Sequence, residues 1–395
     1  MNNSNSTNHN GHLTKEHLRQ LIFEELERLE FTLDEQGNIV PPDTSKEVIR
    51  RLHETSRNIE LQKSQQWIKS KLNKYKNYFA NGYDITPEKI KPRLVQVTDN
   101  WQNDLFRLIR LTWSLPYSFG YGRRLRYLIL DEHNDKIMGI FALQSPPIRF
   151  PARDNLFNYP QGKKVELINQ TMDIHTLGAI PPYSILLGGK LVALATSCNQ
   201  VRTDYVAKYA ERKTEMEDRI LPAHLVALTT TSAFGRSSIY NRLKYKSEVI
   251  AQSIGYTEGY GNFHLQKLYP VFKEYLAMEG VSLKGGYGTG PKRSWQFIRL
   301  TLDKVGIPGD LLKHGIQREA FLFPLVTNLK KYLEGEDNTP QYRDLPFDEL
   351  IDYWRENWML PRAERVNHWR TYQNCEFLSS LILPEENHNH NGRVS

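Results

Sequence analysis

Cysteine is almost missing from this chain: two residues, Cys198 and Cys375, among 395. So sparse a set excludes a disulfide framework, and the two thiols alone do not make a zinc site. No apolar run approaches the roughly 18 to 20 residues that a membrane-crossing helix needs, so no membrane span is expected. The opening MNNSNSTNHNGH has neither a basic start nor an apolar stretch, so the sequence predicts no secretory signal and no transit peptide. Internal repeats are absent as well. With 39% hydrophobic residues and a mean hydropathy of -0.58, the chain reads as a soluble globular protein, and the cytoplasm is its expected location. Its length suits one large or two medium domains with ample core.

Positive charge is present in excess: the formal net charge is +7 and the isoelectric point is near 9.1. It concentrates between Ser45 and Asn81, where nine cations from Lys46 to Lys76 face only Glu47, Glu54 and Glu60. Thr44 and Glu47 have the spacing of a capping box, which predicts a long helix from this point. Ile68, Leu72, Tyr75 and Phe79 recur at helical spacing and leave the lysines on the other face. A basic helix interleaved with Trp67, Tyr75 and Tyr78 has the makings of a phosphate-backbone contact. The plain alternative is a solvated charged face.

Along the chain, a helix is expected from Thr14 to Phe31, with Leu18, Ile22, Leu26 and Leu29 on one side. This gives a helical, basic N-terminal region at 1–82 with a disordered start. Beyond Pro92 the pattern alternates. Leu94 to Val97 is strand-like and Asp104 to Thr112 helical. LRYLIL and IMGIFAL bracket the polar turn 131–135 as a hairpin. Asp173 to Ile180 is a further strand, ended by Pro181-Pro182-Tyr183, and a long helix is expected from Leu186 to Tyr209. The resulting expectation is an α/β core at 83–282, an α-rich region at 283–384 and a disordered tail at 385–395.

The stretch Leu225 to Gly261 carries the most information. Leu225 to Ser232 reads as a strand, Ala233-Phe234-Gly235-Arg236 as a break, and Ser237 or Ser238 as the cap of a short helix bearing Tyr240. A helix start at such a loop offers free N–H groups and the positive dipole end. Gly235, Arg236 and Ser237 are therefore candidates for binding an anion, unless they form only a well-capped turn.

From Pro92 to Gly261 the order of elements resembles the GNAT acetyltransferase superfamily. The resemblance implies a mixed-sheet core in which the hairpin RYLILDEHNDKIMGIFAL precedes a cofactor strand. It implies that Gly188, Gly189 and Lys190 hold the pyrophosphate of acyl-coenzyme A. Ile239 to Tyr245 resembles that superfamily's helix with a tyrosine acid, which would give Tyr240 that role, with His175 or Asp173 as base. The glycine loop departs from the usual pattern: Ile185 or Leu186 stands where Gln or Arg is expected, and Lys190 or Leu191 where a second small residue is.

Longer phrases spread over nearly the whole chain resemble the DruA family of Druantia anti-phage defence systems. They are LGAIPPYSILLGGKLVALATS, TTTSAFGRSSIYNRL, GYTEGYGNFH, HGIQRE and PRAER. This resemblance implies a bacterial defence component acting alongside other subunits, among them a large helicase-like protein. It implies no catalytic residues.

Near the C-terminal side, Lys284-Gly285-Gly286-Tyr287-Gly288-Thr289-Gly290-Pro291-Lys292-Arg293 fits neither the Walker A loop nor the dinucleotide fingerprint. Lys284, Lys292 and Arg293 remain candidates for contact with a nucleic-acid backbone. Phe347 to Met359 is an amphipathic helix expected to end at Pro361. Three functions compete: a nucleic-acid-engaging defence subunit, an acyl-coenzyme A-dependent acyltransferase, and a metal-dependent nuclease. For the last, Arg153-Asp154 and Asp173-Ile174-His175 are the nearest fragments, and they make no recognisable metal set.

Overall fold

A computed structural model describes residues 13–115, 119–213, 218–283, 291–307 and 309–383, with the side chains of 291–294 left aside. By contacts the chain divides into two compact units, residues 1–56 with 258–317 and residues 57–257 with 318–395. The first is mostly helical. Its helix Lys15–Arg28 is capped by Thr14, whose Oγ1 accepts from the His17 N–H at 3.2 Å, and the expected stripe Leu18, Ile22, Leu26 and Leu29 is buried. The helices Tyr269–Met278 and Pro291–Lys304 complete it. Arg19 ties the end of the latter by donating to Val305 O at 2.7 Å.

The second unit is built on one seven-stranded mixed sheet. Its strands are β1 (Pro92–Gln96), β2 (Arg124–Asp131), β3 (Lys136–Gln144), β4 (Thr171–Ala179), β5 (Ala227–Thr231), β6 (Gln252–Tyr256) and β7 (Glu319–Pro324). Across the sheet they stand in the order β6-β7-β5-β4-β3-β2-β1. Every neighbouring pair is antiparallel except β4 with β5. The hairpin β2–β3 falls where alternating apolar residues and the polar turn place it.

Both faces of the sheet are covered. On one, Leu128, Leu130, Ile140 and Ala142 pack against the helix Asn100–Leu111 and against Leu61, Ile68 and Tyr75 of the helix Lys46–Tyr75. On the other, Tyr127, Phe141, Met172 and Ile174 meet the helices Gly188–Ala195 and Asn199–Tyr209 and the 347–365 segment. The alternation of side chains along each strand produces this division. The result is a mixed α/β fold.

Four local expectations are corrected. Residues 234–243 form turns rather than a helix. Ser237 does cap, accepting from the Ile239 and Tyr240 N–H groups at 3.2 Å, but Arg242 takes a left-handed φ of 59° and the chain turns off. The helix from Lys46 starts on Ser45, whose Oγ accepts from Val48 N at 3.4 Å, rather than on a Thr44–Glu47 box. The single helix expected from Leu186 to Tyr209 is two, broken at Thr196–Cys198. Pro361 does not end the helical segment that begins at Phe347. It sits in the first turn of Leu360–Arg365, where its missing N–H costs little, after a π-helical turn at Arg355–Met359.

Candidate functional site

Cross-strand register sets one row of side chains on a single face: Arg124, Gln144, Asp173, Thr229 and Leu322 stand directly opposite one another. Leu322 belongs to an apolar patch with Val226, Ala227 and Tyr332. Leu128, Leu130 and Ala142 belong to the patch under the 100–111 helix. Between these two patches lies a polar gap, and Asp173 is at its centre.

The Asp173 carboxylate accepts from Gln144 Nε2 at 3.0 Å and from Thr229 Oγ1 at 3.2 Å. Burial pushes it up to about 6, although those two bonds and the charge of Arg153 act the other way. Arg153 itself is buried, held by Asp154 Oδ1 at 2.6 Å and the Ile148 carbonyl at 3.2 Å. The β4–β5 ladder ends at the Asp173–Thr229 pair although both strands run on.

His175 is the extra residue of a bulge, since Thr176 faces Ala142 while Ile174 faces Leu143. Its Nε2 is shielded from solvent and has no hydrogen-bond partner among the described residues. Burial, followed by the charges of Arg110, Arg126 and Arg124, pushes the ring down to about 3, so it is neutral at physiological pH. Gly120 lies against His175 and Gln144. A Cβ there would stand 2.9 Å from His175 Nε2, and the residue's φ of +70° suits glycine. Beside it, Phe119 and Tyr121 are 54% and 46% exposed.

Cations collect near the start of β2, from both faces of the sheet. Arg124 and Arg126 project from alternate positions of β2 on the same face, and Arg126 donates to Asn103 Oδ1 and to the Phe119 carbonyl, both at 3.1 Å. Lys208 reaches the Arg124 carbonyl at 2.9 Å. Partial burial, then Arg212, Arg124 and Arg126, hold its ammonium below the ordinary value. Like charges therefore stand close to this ammonium. Arg124, Arg126, Lys208 and Arg212 form no ion pair with a carboxylate among the described residues.

The remaining expected residues are placed elsewhere. Tyr240 lies on the other face from Asp173, only 7% exposed, with its ring 5.0 Å from Phe321 and 5.7 Å from Phe323. Burial holds its phenol above the usual value. Gly188 donates to Tyr183 O at 2.9 Å, and a Cβ on Gly189 would meet Ile239 at 3.3 Å. Lys190 Nζ donates to the carbonyls of Ile239 and Asn241 at 3.1 and 3.0 Å. Tyr240 packs on the sheet's other face, although the charge of Asp173 still reaches its phenol and adds to the rise. In the turn, Gly235 O accepts from Glu319 N at 3.1 Å and Arg236 is exposed. Lys284 lies outside the described residues, as do the side chains of Lys292 and Arg293. Replacing Tyr240 by Phe is expected to lower stability by about 1 kcal/mol in urea unfolding while leaving ligand binding at the Asp173 gap unchanged.

On the 46–75 helix and the turn that follows it, these aromatic residues are engaged in packing. Tyr75 is buried and bonds Asp104 Oδ2 at 3.1 Å, Trp67 lies under Arg107 at 4.1 Å, and Tyr78 stacks on Trp101 at 5.7 Å. Lys63, Lys69, Lys74 and Lys76 are exposed. Sequence reasoning missed the arginine cluster at the Asp173 gap. The run Gly122-Arg123-Arg124-Leu125-Arg126, with two arginines at strand spacing, was its available signal.

A family model described as "Druantia protein DruA" matches residues 43–335. The chain is also 36% identical over 369 residues to the Druantia protein DruA of Escherichia coli (strain UMEA 4076-1), covering 92% of this chain and 91% of the relative. The chain belongs to the DruA family. No solved structure matches it. Within this DruA-family chain, no group of three His, Cys, Asp or Glu side chains among the described residues could hold a metal ion. Asp154 is bound to Arg153 and to Lys164 Nζ at 3.0 Å. No helix among the described residues is long and apolar enough to cross a membrane.

Proposed function

We propose that this chain engages a nucleic-acid strand at the cations near the start of β2. As a DruA protein it is a component of a Druantia anti-phage defence system. What supports the reading is the set Arg124, Arg126, Lys208 and Arg212, close together and without a carboxylate ion pair among the described residues, with Arg126 held on the carbonyl of exposed Phe119. Unpaired cations attract phosphates, and an exposed ring gives an unstacked base a surface. A helicase-like subunit, as the family resemblance implies, would supply such a single strand.

A second reading is acyl-coenzyme A-dependent transfer on a GNAT-like core. The order hairpin, strand, glycine turn and helix supports it, from β2 through β4 to Gly188. The contacts of Gly188, Gly189 and Lys190 weigh against it.

Fluorescence anisotropy with a labelled single-stranded oligonucleotide across a salt series tests the first reading. The double variant Arg124→Glu/Lys208→Glu is expected to bind at least about tenfold more weakly. Its slope of log Kd against log salt should fall by about 1.4, the loss of two phosphate contacts. Salt-insensitive binding, or none, would discard this reading, and heat released on titrating acetyl-coenzyme A would favour the second.

A further inference from the structure

The outer edge of β1 borders a cavity of about 560 Å³, lined by Pro92, Arg93 and Leu94 on one side and Phe347, Ile351 and Arg355 on the other. That volume lies within the range of about 300–1,000 Å³ usual for ligand sites. Among the described residues β1 is the last strand of its sheet, and one of its two edges has no strand beside it.

The hydrogen-bond pattern shows which groups face that edge. Val97 N donates to Arg126 O at 2.8 Å and Glu132 N to Lys91 O at 2.9 Å. In an antiparallel ladder bonded and unbonded pairs alternate. Lys91, Arg93, Val95 and Val97 therefore direct their backbone groups to β2, and Pro92, Leu94 and Gln96 direct theirs outward. An open edge with aligned donors and acceptors is a template for another strand.

The two lips differ in charge and polarity. Lys91 and Arg93 form one, exposed and sharing Glu132 at 2.9 and 3.0 Å. The helix Phe347–Trp354 forms the other. Phe347, Asp348, Ile351 and Asp352 all border the cavity at helical spacing, with both aspartates exposed. Leu94 and Ile351 belong to the same core cluster, so the helix lies on the face of β1 that carries its even-numbered side chains. Lys91 and Arg93 lie on the opposite face.

We infer that the β1 edge is a docking groove for an extended segment of a partner protein, which adds to the sheet as an eighth strand. Alternate side chains of that segment meet opposite lips. Those on the Lys91–Arg93 side are acidic, and those on the helix side are apolar or basic, to suit Phe347, Ile351, Asp348 and Asp352. Backbone bonds to Leu94 and Gln96 supply the register. This surface is independent of the Asp173 gap.

The test uses the full chain and a fluorescein-labelled peptide Glu-Val-Glu-Lys-Glu-Val-Glu-Lys. Saturable binding is expected, with slowed hydrogen exchange at the Leu94 and Gln96 amides. N-methylation of alternate peptide nitrogens should weaken binding at least about tenfold, since it removes the edge bonds. The variant Lys91→Glu/Arg93→Glu, altered only at exposed side chains, should weaken it about tenfold as well. The proposal is overturned if no binding saturates by about 1 mM, or if N-methylation has no effect. It is also overturned if sedimentation shows that a second copy of the chain already protects the same amides.

Discussion

Replacing Trp354 by Ala should cost about 3–5 kcal/mol of stability, the range for truncating a fully buried aromatic. Trp354 is 0% exposed, and its Nε1 donates to the Leu187 carbonyl at 3.0 Å. Leu187 holds a left-handed φ of 59° directly before the helix Gly188–Ala195. Truncation thus opens a cavity under the sheet and frees a carbonyl at a strained position. Urea unfolding followed by far-ultraviolet dichroism measures the loss as a lower midpoint. Trp354→Phe keeps most of the packing and should lose about 1–2 kcal/mol. Equal midpoints for Trp354→Ala and wild type would mean that the 347–365 segment does not hold the core together.

The second large effect has the opposite sign. Asp173 ionises at about 6 in the folded chain against 3.8 in its ordinary state. A raised carboxyl favours the folded state fully below the lower value. That contribution is lost as pH rises through the upper one, about 3 kcal/mol in all. Asp173→Asn carries no charge to bury and its amide oxygen still accepts a hydrogen bond. The variant is therefore expected to match wild type below about pH 4 and to exceed it by about 2–3 kcal/mol at pH 7.5. Paired unfolding curves at the two pH values decide this. If the gap does not open, a nearby cation already compensates the carboxylate.

Much of the sheet was legible in the sequence because each strand carries its own signal. Leu125 to Leu130 and Ile137 to Leu143 flank a turn of polar residues, and the structure pairs them as β2 and β3. The strand β7, Glu319–Pro324, was not expected: it lies in the region read as α-rich. What was not legible depends on distant partners. No local pattern shows that β7 enters between β5 and β6, or that Leu18 and Phe272 belong to one compact unit. Short elements also misled: Ser237 has a cap's chemistry, but a positive φ at Arg242 turns the chain before a helix can grow.

The candidate site divides in the same way. Asp173 and His175 were singled out as the base that the GNAT resemblance implies. Their charged surroundings did not stand out, because Arg110, Arg124 and Lys208 come from a helix, a strand and a second helix far apart in sequence. Tyr240 was assigned a role from its motif alone. Its ring contacts place it among the phenylalanines Phe321 and Phe323, on the sheet's other face.

The position of β7 bears on how the chain is made. A ribosome delivers β5 and β6 more than sixty residues before the strand that joins them, since β6 ends at Tyr256 and β7 begins at Glu319. Until Glu319 to Pro324 has left the exit tunnel, both nascent strands expose hydrogen-bonding edges to whatever lies nearby. A message truncated before that point yields a product with a split sheet, an adhesive fragment rather than a shortened version of the protein.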